Sequence, residues 1–598
     1  MKGKTVKTCF ALSGIVVLLT TLSARAENPS TVQKKFVLFG FEMGRCNANG
    51  GAKAVLETAP LFREAGLDGI GLYLPGKTFS DGRKRDWPMN DPFVWKDEDL
   101  AGEAAGYREA FRRSGLDRNF LKTFFSAPKK HIDWDDDAAW ARVAENLRVV
   151  ARFAKKAGFR GLCADHEDYH HSSQFTRRLE EPAWDDLVPV VRARGRQVFS
   201  AVFSEAGFPD AEIFFFWFLG WRDRFFTCRD VEGALRDNGE LWPAFANGIL
   251  DALPPTARIV DADEWAYYHE ETEYFARSHN FRTVACQGMV APENRVKYRN
   301  QVSMGFGLYT DMYTLPEKTA KGVTPAFYRG PDVDGSRLRK FSRILGAAAD
   351  ASDEYVWFWN EQIQWVKWRP TPKKYGYANT CIDEYLPGIH AVCNAARGAE
   401  DFIEKRECEL AAKGLLTNLV ANATCEPDDK SLAPGQYLDH KGTSVKKTWF
   451  SWHAAVASNG VAGVDIGGGY GGGSALMAKG SREGCFTYPI KNARPGDYYG
   501  IRVRAKGPAE VTVYPRKDGK RPKWYDEMGK IYCVPFGKPD ARGWKQARAV
   551  LRIPDGVDLM DVHFGWRQKP DEATWFDDIV IEPLVWYDPS TERTRSVP

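Results

Sequence analysis

Between residue 35 and about residue 412, short apolar runs alternate with longer amphipathic ones. A short apolar run bounded by turn residues is typical of a buried strand, whereas apolar residues spaced three and four apart are typical of a helix. The pattern predicts eight strands, at 35–44, 68–75, 120–127, 159–167, 211–221, 257–265, 302–313 and 355–365.

Helical patterns separate these strands, and the clearest are 52–66, 139–158, 337–351 and a last one at about 387–412. The first two end in Gly, as helix C-termini tend to. Eight strand–helix units predict an α/β fold of the (β/α)8 TIM-barrel type, which takes about 250 residues and more with insertions. The alternative is a doubly wound open sheet, but its Gly-rich phosphate turn after the first strand is missing, since "GFEMGRCNANGG" is too irregular.

After residue 413 the pattern changes to short alternating stretches such as "YYGIRVRAKG", "AEVTVYPRK" and "TWFDDIVIEPL". Gly, Pro and Asp turns separate them, which is typical of an all-β sandwich. The sequence therefore predicts a barrel domain at 30–412 and a jelly-roll sandwich domain at 413–598.

The first 26 residues predict a secretory signal peptide. Three lysines precede the apolar run "CFALSGIVVLLTTL", and "ARA" supplies small residues at a cleavage site after Ala26. That run is too short for a membrane-spanning helix, and no other long apolar segment follows. We expect a secreted or periplasmic protein without a membrane span.

Composition narrows the choice of partners. The net charge of +4 argues against nucleic acid and favours acidic substrates only weakly. Aromatic residues make up 13% of the chain, which fits a large core or a cleft lined with flat apolar faces. The cysteines show no C-x-x-C spacing, and Cys381 with Cys393 is the expected local disulfide. The sequence does not indicate an oligomeric state.

The stretch "GLCADHEDYHH" (161–171) has two interpretations. His166, Glu167 and His170 form H-E-x-x-H, which binds zinc when both histidines share one face of a helix. The stretch begins as a strand, however, and a strand turns Asp165 and Glu167 to one face and His166 to the other. Two neighbouring carboxylates at the carboxyl end of a barrel strand fit glycoside cleavage, which needs an acid and a second carboxylate.

The same stretch, "GFRGLCADHEDY", resembles the fourth-strand motif of family 18 chitinases and related endoglycosidases. The resemblance implies that Glu167 is the acid and that Asp165 orients the 2-acetamido group of the substrate. It covers about a dozen residues and departs from the family pattern in three places. Arg160 and Cys163 stand at two acidic positions, and Asp168 intervenes before the Tyr.

Other predicted strand ends also carry acids and aromatic rings. The candidate catalytic residues are Glu167, Asp165, Glu361, Glu264 and Asp311. The candidate substrate-binding residues are Glu42, Trp221, Tyr268, Tyr309, Trp365, Trp368 and His170. If the nucleophile is a protein group, Glu167 is the acid/base and Asp311 or Glu361 stands opposite it.

The C-terminal region resembles the jelly-roll carbohydrate-binding modules of many secreted glycosidases, on "TNLVANATCE", "GCFTYPI", "PGDYYGIRVRAKG", "GWKQARAVLRIPDG" and "ATWFDDIVIEPL". Such modules bind sugar or brace the catalytic domain, and some hold a structural calcium near these termini. The sequence as a whole predicts a glycoside hydrolase acting on a poly- or oligosaccharide, with no cofactor for catalysis. The alternatives are a non-catalytic glycan-binding protein on a barrel scaffold and a zinc-dependent hydrolase.

Overall fold

The computed structural model describes most of the chain from Lys34 to Arg595. The described ranges are 34–74, 77–78, 84–85, 88–89, 91–100, 103–124, 131–166, 174–219, 230–367, 381–398, 400–426, 437–439, 450–453, 460–520, 532–534 and 536–595. The predicted signal peptide lies outside them. No helix in these ranges is long and apolar enough to cross a membrane.

Nine parallel strands form the first sheet. In chain order they are β1 Lys35–Gly40, β2 Gly69–Tyr73, β3 Phe120–Phe124, β4 Gly161–Asp165, β5 Glu212–Phe215, β6 Arg258–Asp261, β7 Val302–Met304, β8 Phe306–Tyr309 and β9 Tyr355–Asn360. Their order in the sheet is β8-β9-β1-β2-β3-β4-β5-β6-β7. A single residue, Gly305, separates β7 from β8, and its N–H donates to the Asp261 carbonyl at 3.0 Å. The sheet therefore forms a barrel, as the sequence predicts, with the seventh predicted strand in two pieces.

Helices lie between the strands and cover the outside of the barrel. They are Phe41–Glu64, Ala104–Ser114, Asp137–Ala157, Trp184–Val202, Val231–Asp237, Trp242–Ala252, Thr272–Thr283, Arg295–Gln301, Arg337–Ala351, Ile389–Arg397 and Glu400–Ala412. Local sequence fixes their ends. Asp136 caps the helix Asp137–Ala157 by accepting the N–H of Ala139 at 2.9 Å. Gly158 ends the same helix in the left-handed conformation.

Aromatic rings rather than aliphatic side chains fill the centre of the barrel. Phe39 lies 5.0 Å from Phe214 between ring centroids, and Phe216 stacks on Trp357 at 4.3 Å. Glycine makes room for two of these rings. A Cβ at Gly71 would come within 1.9 Å of the Phe39 ring, and one at Gly307 within 2.6 Å of the Trp357 ring.

Two details of the predicted barrel are wrong. The first strand ends at Gly40, so Glu42 lies in the first turn of the helix Phe41–Glu64 rather than on the strand. Gly40 has φ of 121° and no room for a Cβ beside Asn360, so the backbone leaves the sheet there. The expected disulfide is also absent, because Cys381 and Cys393 are both buried thiols that are not bonded to each other. Cys381 donates its S–H to the Trp365 carbonyl instead.

The C-terminal region is a sandwich of two antiparallel sheets, as the sequence predicts. The six-stranded sheet contains Tyr437–Asp439, Val461–Asp465, Ala475–Lys479, Ala573–Pro583, Tyr498–Lys506 and Trp544–Arg552 in that order. The five-stranded sheet contains Phe450–His453, Glu483–Lys491, Leu559–Arg567, Ala509–Arg516 and Tyr532–Val534. The sandwich has its own hydrophobic core, separate from that of the barrel.

The two domains are tied together by specific contacts. Tyr498 and Leu584 of the C-terminal region belong to the hydrophobic core of the barrel. Ser342, on the helix Arg337–Ala351, donates to the Gly496 carbonyl at 2.7 Å, and on the same helix Arg339 forms an ion pair with Asp497. The sandwich is therefore packed against the barrel rather than held on a free linker.

Candidate active site

A buried ion pair lies on the inner wall of the barrel. The ammonium of Lys122, on β3, lies 2.9 Å from the carboxylate of Asp165, on β4, and both side chains are 1% exposed. Lys122 also donates to the Tyr73 hydroxyl at 3.2 Å. Burial acts to lower the pKa of Lys122, but the charge of Asp165 raises it above its ordinary value, so the lysine stays charged.

Aromatic rings surround this lysine. Its ammonium lies 4.5 Å from the ring centroid of Trp359, 4.7 Å from that of Phe216 and 5.0 Å from that of Tyr73. Cation–π attraction favours a charged group over such faces. Lys122 is not among the predicted site residues, although a lone charge inside the apolar run "FLKTFFSA" is a sequence signal for it.

Asp165 and His166 point to opposite sides of the sheet, as alternation along a strand requires. The imidazole of His166 stacks on the indole of Trp242, with ring centroids 4.0 Å apart and planes 5° apart. Glu167 and His170, the other members of H-E-x-x-H, lie outside the described residues. Within the described ranges, no group of three or more His, Cys, Asp or Glu side chains is arranged to hold a metal ion.

Glu361 follows β9 at the mouth of the barrel and is half-buried. Its carboxylate accepts the indole N–H of Trp359 at 3.0 Å and the hydroxyl of Tyr309. Burial raises the pKa of Tyr309 above its ordinary value, and the charges of Asp311 and Glu361 add to that rise. The two donors hold the carboxylate in one orientation.

Asp311 lies beneath Glu361, in the short helix Thr310–Thr314 that follows β8. The carboxylate is fully buried, and its Oδ2 accepts the backbone N–H of Glu361 at 3.0 Å and that of Gln362 at 2.9 Å. Burial raises the pKa of Asp311 to about 6, although the charge of Arg595 and the two N–H donors oppose the rise. Asp311 therefore exchanges a proton near neutral pH while supporting the backbone of Glu361.

Glu264 begins the short helix Glu264–Tyr268 after β6 and is half-buried. Burial raises the pKa of the Cys163 thiol well above its usual range, Lys122 opposes this, and the charges of Asp165 and Glu264 add to it. Glu264 therefore lies within electrostatic range of Cys163, as the Lys122–Asp165 pair does.

Two further acids at the end of β6 are structural, and the sequence analysis did not single them out. Asp261 accepts the backbone N–H of Phe218 at 3.1 Å, and Asp263 forms an ion pair with Arg282 at 2.6 Å. Burial raises the pKa of Asp261. Burial also acts to raise the pKa of Asp263, but Arg282, His269 and Ser278 outweigh it, so the pKa of Asp263 is lowered. These contacts fix the segment that carries Glu264.

An aromatic surface opens from the mouth to the solvent. Trp265, Tyr268 and Phe327 are 50%, 48% and 46% exposed, and the Tyr268 ring lies 5.7 Å from that of Trp265 and 6.0 Å from that of Phe327. Phe327 in turn contacts Tyr309 at 5.6 Å, which connects the surface to Glu361. Phe327 has φ of 66°, a conformation that bulky residues rarely adopt, so the fold around it holds the ring in place.

Of the predicted substrate-binding residues, Tyr268 and Tyr309 lie at this surface. Trp365 has no exposed area, because its ring stacks on Phe358 at 4.8 Å and lies beside His390. Trp221 and Trp368 lie outside the described residues. For Glu42 only the backbone position in its helix is described.

The sandwich carries a cleft of about 640 Å³ on the outer face of its five-stranded sheet. Alternate residues of three neighbouring strands line it, among them Glu483, Thr487, Glu510, Tyr514, Arg516, Asp561, His563 and Arg567. The face is strongly charged, and on it the Tyr514 and His563 rings are in contact, with centroids 4.4 Å apart and planes inclined at 39°.

The calcium expected near the ends of the sandwich stays a prediction. Glu426 accepts the N–H and hydroxyl of Ser474, both at 2.8 Å, and Asp577 accepts the N–H of Tyr470 at 2.7 Å. These carboxylates brace the Gly-rich loop between the strands, so each has a structural role in the described part of the sandwich.

No protein-family model and no curated protein matches this chain. Among solved structures it is similar to the enzymatically active domain of bacteriophage CBA120 tailspike protein 4, at 12% identity over 28% of this chain and 21% of that one, with a TM-score of 0.18. A second is the CBM22-1–GH10 part of Clostridium thermocellum xylanase 10B, at 11% identity over 23% and 26%, with a TM-score of 0.17. A third is the CBM22-1 xylan-binding domain of Paenibacillus barcinonensis Xyn10C, at 12% identity over 26% and 99%, with a TM-score of 0.18.

This chain covers about a quarter or less of the length of the first two. At such identities and TM-scores the similarities carry no argument about activity, so any functional conclusion depends on the residues themselves.

Proposed function

We propose that this protein is a glycoside hydrolase whose active site is the acidic mouth of the barrel. The observation that carries the proposal is the Glu361 carboxylate, which Trp359 and Tyr309 orient at the carboxyl end of the parallel strands. In barrel enzymes this end is where the chemistry takes place.

The solvent exposure of each acidic side chain indicates its role in the proposed reaction. Glu361 and Glu264 are half-buried, so either can touch a substrate in the mouth. Asp311 and Asp165 are fully buried and act on the site through their neighbours. Glycosidic cleavage needs one carboxylic acid to protonate the leaving oxygen and one carboxylate to stabilise the sugar cation or activate water. Glu167 remains the acid that the sequence predicts.

The aromatic surface supports a sugar as the substrate. Pyranose rings present apolar C–H faces that stack on exposed aromatic rings, while their hydroxyls need polar partners. Trp265 and Tyr268 follow Glu264 in the same short helix, and Phe327 contacts Tyr309, the partner of Glu361. The three exposed rings therefore supply flat apolar faces near these acids. Because these rings face the solvent, they do not stabilise a hydrophobic core, and this favours a role in binding.

The test is to assay the wild-type protein on polysaccharides and aryl glycosides, including N-acetylated ones, and then to compare single Glu→Gln variants at 167, 264 and 361. Glu361→Gln should lower kcat by at least about 100-fold, because the amide provides neither a proton nor a negative charge at the reacting centre. Glu317→Gln is the matched control, since Glu317 is exposed and follows the short helix Thr310–Thr314 by three residues.

Two results would contradict the proposal. One is full activity in Glu361→Gln. The other is sugar binding without hydrolysis on every substrate, unchanged in all three variants, which would indicate a glycan-binding protein instead.

A further inference from the structure

The segment that follows the last sandwich strand, residues 584–595, returns to the barrel. Leu584 and Val585 are buried in the barrel core. Tyr587 donates its hydroxyl to the Gly496 carbonyl at 2.6 Å, and the guanidinium of Arg339 lies 4.2 Å from its ring centroid. These contacts fix the beginning of this return segment against the helix Arg337–Ala351.

The middle of the return segment caps that helix. The Glu592 carboxylate accepts the Ser336 hydroxyl at 2.5 Å and the backbone N–H of Arg337 at 2.6 Å. One residue later, the Arg593 N–H donates to the Tyr385 carbonyl at 2.9 Å. Negative charge at a helix N-terminus is favourable, so Glu592 and Arg593 attach the return segment through contacts that do not involve Arg595.

Arg595 then reaches the two pieces of chain that hold Asp311. Its backbone N–H donates to the carbonyl of Thr314 at 2.8 Å, and Thr314 ends the short helix that carries Asp311. Its guanidinium donates to the side-chain oxygen of Gln362. Gln362 is the residue after Glu361, and its own N–H binds the Asp311 carboxylate.

The charge of Arg595 also faces this cluster. It acts to lower the pKa of Asp311 and of Tyr309, against the larger effect of burial and against the charge of Glu361. Among the described residues, no group accepts a hydrogen bond from the buried Nε of Arg595, and none donates one to the buried Oδ1 of Asp311. In the described part of this cluster, the guanidinium therefore keeps one buried N–H available and the Asp311 carboxylate keeps one buried oxygen available.

We propose that Arg595 is a positioning residue of the barrel active site: its contacts with Gln362 and Thr314 hold the segment next to Glu361, and its charge faces the buried Asp311 carboxylate. The inference rests on the proposed function, because it gives Glu361 and Asp311 a role in the reaction. It also means that residues from beyond the sandwich contribute to the catalytic mouth of the barrel.

The test compares Arg595→Gln with Arg595→Lys and with Arg593→Gln. Arg593 is the matched control, since its side chain is exposed and its backbone contact with Tyr385 survives the substitution. Two quantities are followed in each variant: the pH dependence of kcat, and the titration of the Asp311 carboxyl by NMR of protein with 13C-labelled aspartate. Loss of one signal in Asp311→Asn identifies the resonance.

In Arg595→Gln the Asp311 midpoint should rise by about one pH unit, because a neighbouring cation no longer favours the ionised form. The apparent pKa that the pH dependence of kcat reports for Asp311 should rise by a similar amount. The fall in kcat should be larger than the change in KM. Arg595→Lys should restore most of the shift, since it keeps the charge, and Arg593→Gln should titrate like the wild type. A purely structural role would lower stability in Arg595→Gln and leave the midpoint unchanged.

An unchanged Asp311 midpoint in Arg595→Gln overturns the inference, whatever the activity. If the midpoint shifts as expected but Glu361→Gln keeps full activity, the coupling stands and the proposed function fails. If Glu361→Gln is inactive and Arg595→Gln matches the wild type in both measurements, the proposed function stands and the role of Arg595 fails.

Discussion

Replacing Asp311 by Asn should make the protein more stable at neutral pH while lowering its activity. The fold raises the pKa of this carboxyl from its ordinary 3.8 to about 6. The native state therefore binds the Asp311 proton more tightly than the unfolded state does. The stabilisation that this proton gives is complete below about pH 4 and is lost as the pH rises through about 6.

The magnitude follows from the shift itself. One pKa unit corresponds to about 1.4 kcal/mol, so the shift to about 6 costs the wild type about 3 kcal/mol of unfolding free energy above pH 6. Asn carries no charge and avoids that loss, and its side-chain oxygen can still accept the two backbone N–H groups. The stability of Asp311→Asn relative to the wild type should therefore rise by about 2.5 kcal/mol between pH 4 and pH 7.

Urea unfolding of both proteins between pH 4 and pH 8, followed by tryptophan fluorescence, measures this difference. The same substitution at the exposed Asp237 controls for the loss of one aspartate. If the stability difference between Asp311→Asn and the wild type is constant from pH 4 to pH 7, the raised pKa of Asp311 is refuted. That result would also refute the argument that a buried, titrating carboxylate supports Glu361.

Two further predictions concern the barrel interior and its rim. Lys122→Met should lower the unfolding free energy by about 3–5 kcal/mol, because it leaves the buried Asp165 charge without its cation, and adding Asp165→Asn should recover most of that loss. Equal stability of the single and double variants in urea would argue against the ion pair. Trp265→Ala should weaken binding of an oligosaccharide substrate by about fivefold, the loss of about 1 kcal/mol of stacking, whereas Trp586→Ala should not. Calorimetric titration distinguishes the two, and equal affinities in both variants would exclude the aromatic surface as the sugar site.

The strands of the barrel could be predicted from the sequence, because buried parallel strands consist of apolar runs. The residues at which the strands end could not be predicted. Gly40 and Gly305 interrupt strands through backbone geometry that depends on distant neighbours, Asn360 and Asp261. An amphipathic pattern cannot show this, because it records only which side of an element is buried. The first predicted strand therefore continued too far and the seventh was predicted as one piece.

Some residues of the candidate site could likewise be predicted from the sequence, and others could not. Asp311 and Glu361 could be predicted as candidates because residues that follow barrel strands lie at the mouth, although Asp311 proves to be buried beneath Glu361. Trp365 was chosen for its late position in a strand segment, yet the chain turns there and its ring packs on Phe358. Phe327 and Arg595 come from a long loop and from beyond the sandwich, so their approach to the mouth depends on tertiary structure alone.

The rings at the centre of the barrel restrict how this sequence can change over time. Phe39 occupies the space that a side chain at position 71 would need, and Trp357 does the same for position 307. A larger residue at either glycine is tolerated only after the facing ring has become smaller, and a smaller ring alone leaves a cavity. We therefore expect relatives of this protein to vary positions 39 and 71 together, and likewise 307 and 357. Most of them should retain both aromatic–glycine pairs unchanged.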